Sequence, residues 1–258
     1  MRTMYAAAST PIVGQTIASV FREWKMRRVL SAMLLIVAGG AAQAEPFTHN
    51  YDVRFAGLRV ASATVQGNVT PTSYNAAARL EARGLAGLFT SGDFNASVRG
   101  TRTGPAGFMP QAFAQVTEGS DASRLDLVYR GGMPVSAVSS PVRAADERAV
   151  PTLSKQAGTV DFLTAVVALT YPGTAEEICN RSFDSFTLTK RVRIEGDGLI
   201  PGTQSCRVIY RKVNPETLQA RDPEPYTLEL RPTTDGQFEV ARILGPSEFG
   251  QTVISRTN

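Results

Sequence analysis

Histidine, cysteine and paired carboxylates are the side chains that most often carry chemistry, and this chain holds few of them. His49 is its only histidine, and Cys179 and Cys206 are its only cysteines. A Ser-His-acid triad needs a nucleophile and an orienting acid beside the imidazole, and no G-x-S-x-G elbow occurs in the sequence. One histidine and two cysteines fall short of a typical zinc ligand set. Neither G-x-x-x-x-G-K-[ST] nor G-x-G-x-x-G is present, so no loop is built to cradle a phosphate. The acidic pairs Asp146-Glu147 and Glu176-Glu177 sit in polar stretches and read as solvated loop charge. His49 falls on the apolar side of a strand beside Phe47 and Tyr51, which suits a partly buried or sheet-edge histidine. The residues point to a protein without catalytic groups, metal or cofactor.

The charge has to be divided before it is read. The 258 residues hold 27 Lys+Arg against 23 Asp+Glu. Arg2, Arg22, Lys25, Arg27 and Arg28 lie in residues 1–44 with only Glu23 against them, and the rest of the chain is neutral. The basic excess belongs to a leader, so an electrostatic case for nucleic acid or anionic lipid falls away. Arg27-Arg28 precede an apolar run from Val29 to Ala38, then Gly39-Gly40 and Ala42-Gln43-Ala44. That order is a secretory signal peptide, with cleavage expected between Ala44 and Glu45 and delivery to the periplasm. The run is too short for a stable transmembrane anchor, so the processed protein is not expected to be an integral membrane protein. Residues 1–25 fit poorly as an n-region, and Met26 before Arg27-Arg28 makes a more natural start. The expected organisation is a leader over 1–44 and a single β-rich domain over 45–258.

Export bears on the cysteines. Their spacing excludes a Cys-x-x-Cys redox pair, and an oxidising compartment favours a structural Cys179–Cys206 disulfide over two buried thiols. Closing a loop of this length should stabilise the fold by roughly 3–4 kcal/mol in the chain-entropy account.

Period-two alternation dominates the elements that must position these residues. Phe47, His49, Tyr51, Val53 and Phe55 share one face, and Ala56-Gly57 breaks the run before a second strand from Arg59 to Val69. Ser73–Ala82, Phe94–Arg99 and Arg124–Arg130 alternate likewise, and Gly131-Gly132 offers a two-residue hairpin turn into Met133–Val138. Phe186–Glu195 reads as one strand with Asp197-Gly198 as its turn, and Ser205–Val213 returns. Tyr226–Leu230, Phe238–Leu244 and Thr252–Ser255 follow, so the count reaches roughly ten or eleven strands in an antiparallel sheet. Val160, Phe162, Leu163, Val166 and Val167 have helical spacing, with Thr159 to cap the start and Tyr171-Pro172-Gly173 to end the helix. Leu85, Leu88 and Phe89 form a short apolar segment between glycines. Residues 139–158 read as a hinge within one sheet. A porin-like barrel fits poorly, because most strands read short and Arg and Glu share faces with apolar residues.

Gly84-Leu-Ala-Gly-Leu-Phe-Thr-Ser-Gly-Asp-Phe, followed by Gly107-Phe-Met-Pro-Gln-Ala-Phe, resembles the exported family known as domain of unknown function 3108. The Tyr51–Phe55 strand, Gly57, Asp161-Phe-Leu-Thr-Ala, Phe183-Asp184, Cys206 and the Ile243–Gly250 spacing are similar to its other motifs. Asp184-Ser185 departs from the usual Asp-Gly. The resemblance implies a mostly β fold like that of periplasmic lipoprotein carriers. That fold is a single large, curved antiparallel sheet, an open or half-closed barrel, with one short helix on its concave side. It implies an apolar cavity lined by Tyr51, Val53, Phe55, Phe94 and Phe113, plugged by Phe162, Leu163 and Val166, with Phe89 on a movable rim. The alternative is that these side chains simply pack against the helix.

The expected function is that of a non-enzymatic cell-envelope protein that binds or carries a hydrophobic ligand or lipidated partner. An assembly factor acting through sheet-edge contacts is the competing reading, and an unrecognised hydrolase the third. Expected partners are a lipid, a hydrophobic peptide or an envelope protein, and not nucleic acid.

Overall fold

Strands with one apolar face must bury it, and here fourteen of them, among the described residues, do so by joining one curved sheet. The computed structural model describes residues 44–83, 93–104, 107–119, 122–141, 151–247 and 250–258. The first half is a meander of β1 (Glu45–Phe55), β2 (Leu58–Val69), β3 (Ser73–Ala82), β4 (Phe94–Thr103), β5 (Gly107–Thr117), β6 (Ser123–Arg130) and β7 (Met133–Ser140). A 3-10 turn (Leu153–Gln156), the two-residue β8 (Thr159–Val160), helix α1 (Phe162–Thr170) and helix α2 (Ala175–Cys179) then interrupt the sheet. The second meander runs through β9 (Phe183–Thr187), β10 (Lys190–Leu199), β11 (Ser205–Val213), β12 (Glu224–Pro232), β13 (Phe238–Ser247) and β14 (Gly250–Arg256).

The last strand returns beside the first, which fuses the two meanders. β14 pairs antiparallel with β1, placing Arg256 opposite Tyr51 and Ile254 opposite Val53. The spatial order is therefore β7-β6-β5-β4-β3-β2-β1-β14-β13-β12-β11-β10-β9-β8, antiparallel throughout except for β8 on β9. The sheet is nearly closed into a barrel. At its two edges the Gly158 N–H donates to Gly132 O at 2.8 Å, tying the β6–β7 turn to the residue before β8. Helix α1 packs on β3, β4 and β5 from one half and on β9 and β13 from the other. This is the curved sheet around a short helix that the alternation and the resemblance imply.

Local details correct several expectations. Phe186–Glu195 is not one strand: Leu188-Thr189 turns between β9 and β10. A two-residue turn preserves the alternation, so the pattern runs through the hairpin without showing it. Asp197-Gly198 lies inside β10, where the β10–β11 register shifts between Gly196 and Leu199; it acts as a bulge and not as the turn. Thr159 belongs to β8, and α1 starts later, capped by Asp161. The Glu176-Glu177 pair is not loop charge. Glu177 closes a capping box with Thr174 that opens α2, an element the alternation did not reveal. The fourteen strands exceed the expected count because β5 and the short β8 and β9 carry weak or interrupted periodicity. Ala56-Gly57 (φ 47° and 83°) and Gly131-Gly132 (φ 56° and 75°) do turn their hairpins, with the positive φ values such tight turns require. Residues 1–43 and the middle of the 139–158 segment lie outside the described residues.

Candidate functional site

The helix inside the barrel is held at both ends by side chains. At its start, Asp161 is fully buried, and its carboxylate accepts from the Thr164 N–H at 2.9 Å and from the Thr164 hydroxyl at 2.6 Å. Thr164 in turn meets the Tyr74 hydroxyl of β3 at 2.6 Å. Tyr74 can lean inward because its ring lies over Gly100 of β4, where an added Cβ would come within 2.5 Å of it. Burial outweighs the hydrogen bonds from Thr164 and pushes the Asp161 carboxyl up from 3.8 to about 6. Beyond the helix's C-terminus, the buried Arg181 guanidinium donates to Ala168 O at 3.0 Å, Leu169 O at 3.2 Å and Pro172 O at 3.3 Å, and also to Tyr171 O. One cation thus satisfies carbonyls that the last helical turn leaves free. Cys179, at the end of α2, is joined to Cys206 of β11 with Cα atoms 5.0 Å apart, which locks this end of the helical segment to the sheet.

Between these anchors α1 does not fill the barrel. An apolar cavity of ≈ 200 Å³ runs along the helix, walled by Leu163 and Val166 on one side and by Tyr51, Val53 and Val65 of β1 and β2 on the other. Phe94, Phe162, Ile243 and Ile254 complete it. Its mouth lies beside Phe162 and Leu80, which are 43% and 37% exposed, with the Phe162 ring edge-on to Phe94 at 6.2 Å. A second hollow of ≈ 180 Å³ lies near the C-terminal end of α1, between Phe47 and His49 of β1 and Val167 and Tyr171. Thr170 lines both. The two hollows flank a waist at Thr170, His49 and Tyr51, between β1 and α1.

The waist is polar in an apolar setting. His49 and Tyr51 are 9% and 7% exposed, and His49 Nδ1 and the Tyr51 hydroxyl are buried without a short, well-aligned hydrogen bond among the described residues; the Thr48 main chain neighbours His49 and the Thr170 hydroxyl neighbours Tyr51. The Thr170 hydroxyl donates to Val166 O at 2.8 Å and stands beside the Tyr51 phenol as its nearest polar partner. Arg256, directly across from Tyr51, also keeps a buried Nε without a partner, while its Nη1 donates to Glu239. Glu239 accepts from Arg231 Nε as well, at 2.6 Å. Burial, reinforced by Arg256, lowers the His49 imidazole to about 4, so it is neutral at neutral pH. Burial also raises the Tyr51 phenol, which stays protonated.

The residues singled out by sequence separate into three groups. Tyr51, Val53, Phe94 and Phe162 do line the main cavity, but Phe162 stands at its mouth and Leu163, fully buried, is the plug. Phe113 is core, 2% exposed, and lines neither hollow. Phe55 is 38% exposed at the hairpin tip, because the β1–β2 register shifts after Val53 and ends the inward alternation. Phe89 lies outside the described residues. Ala44 and Glu45, the expected cleavage point, are exposed where β1 begins. Sequence reasoning missed Arg256, Glu239 and Asp161 as polar members of the interior. The last strand as read from sequence stops at Ser255; extended by one residue it carries Arg256 on the face of Ile254, and pairing with β1 is what turns that face inward.

Other candidates are weaker. A broad groove of ≈ 870 Å³ beside β10 and β11 has a mixed, largely polar lining, and its Lys212 is already matched to Glu224 at 3.0 Å. Among the described residues no three His, Cys, Asp or Glu side chains gather as a metal site, and no helix is long and apolar enough to cross a membrane. Comparison with known proteins finds no matching family model, no matching curated protein and no matching solved structure.

Proposed function

We propose that this is a non-catalytic protein of the bacterial cell envelope, exported to the periplasm, which holds a hydrophobic ligand in the apolar cavity along α1. The ligand is an acyl chain, free or attached to a partner. One observation carries the reading: a barrel whose own helix leaves an apolar cavity beside Leu163 and Val166, open at Phe162. Well-packed interiors leave few voids larger than a water molecule, so an open apolar hollow of this size is a standing site for apolar atoms. The Cys179–Cys206 disulfide supports an oxidising compartment. A native mass spectrum of protein purified from the periplasm tests the proposal. Co-purifying lipid, or uptake of a fluorescent fatty-acid probe by the delipidated protein, is the expected result; a protein that never takes the probe overturns it.

A second reading rests on β7. This edge strand presents Val135 and Val138, 38% and 57% exposed, and invites pairing with a strand of another envelope protein. A stoichiometric protein partner without lipid in the same spectrum favours it.

A further inference from the structure

The apolar cavity along α1 has an entrance and an end. Phe162 stands at its mouth and Thr170 at its inner end, eight residues apart on α1, which is about 12 Å of helix. Past Thr170 lies the second hollow, of ≈ 180 Å³. Thr170 is the one residue that lines both spaces, and Tyr51 faces it from β1. The two side chains therefore stand where the hollows would otherwise run together. The lining itself offers nothing to a polar group. The Thr170 hydroxyl already donates to Val166 O, and the remaining inward residues near the end are Val65, Ala78 and Val166. Arg79 is the only charged residue beside the cavity, and it is paired with Asp93 at 2.5 Å and with Glu81 at 3.1 Å.

We propose that the cavity is a length-limited site for the tail of a single-chain amphiphile. The tail enters past Phe162 to a depth of about eight carbons, Thr170 and Tyr51 stop it, and the head group stays in water at the mouth. The inference rests on the carrier reading and names the part of the ligand that is held. Volume and length give the same limit. An apolar cavity of about 150 Å³ accommodates the six carbons of benzene. The ≈ 200 Å³ here leaves room for about two more. An extended chain, whose carbon–carbon bonds of about 1.5 Å advance in a zigzag, covers 12 Å of helix with roughly nine carbons. A head group drawn inside would lose its water and gain no hydrogen bond, so the tail must lead. At the mouth Arg79 is matched by Asp93 and Glu81, so no uncompensated charge there selects one head over another. Chain length, and not head chemistry, sets the preference.

The test titrates straight-chain primary alcohols of five to twelve carbons against a fluorescent fatty-acid probe bound to the delipidated protein. Each added carbon is expected to tighten binding about fourfold, the transfer of one methylene, until the chain reaches about eight carbons. Beyond that length the affinity should level off. Octanol, octanoate and octylammonium should bind within about threefold of one another. Thr170→Ala removes the hydroxyl and a methyl group between the two hollows, and should move the plateau at least two carbons higher with hexanol binding unchanged. Tyr51→Leu gives the same readout from the opposite wall if the first variant fails to fold. Affinity that climbs undiminished to twelve carbons, a head-group preference above tenfold, or a plateau that neither variant moves overturns the inference. A protein that binds the probe but no alcohol overturns it too and leaves the carrier reading standing. Binding of neither overturns both.

Discussion

The Tyr74 hydroxyl lies 2.6 Å from that of Thr164, ninety residues away, and the two join the sheet to the first turn of the buried helix. Thr164 gives its one proton to the Asp161 carboxylate, so the chain runs Tyr74 to Thr164 to Asp161 while that carboxyl is ionised. Burial raises Asp161 from 3.8 to about 6, and the folded state therefore holds its proton more strongly than the unfolded chain. Stability contributed by the protonated form is full below about pH 4 and is lost as pH rises through 6. Asp161→Asn keeps an acceptor at the N-cap and cannot ionise. Urea unfolding should show it gaining on the wild type as pH rises through this window, whereas Asp161→Ala loses the cap, at a cost of about 1 kcal/mol.

His49 acts in the opposite sense. Its folded value, about 4, lies below the ordinary 6.5, so stability is full above 6.5 and is lost as pH falls toward 4. A displacement of this size corresponds to an upper bound of about 3 kcal/mol. In the wild type the two titrations oppose each other and the stability profile between pH 4 and 6.5 should be shallow. Each variant unmasks the other group. Asp161→Asn should lose stability toward acid, and His49→Leu toward neutral pH. Parallel profiles for both variants would refute the assignment.

The disulfide closes a loop of 27 residues separation around α2 and the β9–β10 hairpin. Replacing Cys206 with Ser should cost roughly 3–4 kcal/mol, because the unfolded chain recovers the entropy of the open loop. The far-ultraviolet circular-dichroism signature of the sheet should survive at low temperature. No alkylatable thiol in the native wild type, and two after reduction, would complete the check.

Much of this architecture was legible because one face of each strand is apolar. Phe47, His49, Tyr51 and Val53 announce the inward face of β1 by alternation alone. What stayed hidden depends on pairing or on turns that keep the period. Arg256 becomes an interior residue only through its register with Tyr51, and Leu188-Thr189 hides a hairpin inside an unbroken pattern. Phe113 and Phe94 look alike in sequence, yet only Phe94 borders the cavity, while Phe113 is packed in the core at 2% exposure. Such differences arise from how α1 sits in the barrel, and a local pattern carries no information about that.

Space beside the helix is also what the final prediction manipulates. Ala63 and Ala78 line the cavity with small side chains on β2 and β3, facing Val166 and Leu163 across it. If the cavity were a packing defect, filling it would have no consequence beyond stability. If it is a binding site, filling it exchanges function for stability. Ala78→Leu adds three methylene-sized groups to an apolar hollow, worth up to about 2 kcal/mol if they fit without strain. The expected outcome is a melting temperature equal to or above that of the wild type, together with loss of fatty-acid probe binding. A control at Val138, exposed on the edge strand β7, should leave probe binding intact when changed to Thr. Unimpaired binding in a stable Ala78→Leu protein would place the ligand elsewhere and return attention to the β7 edge.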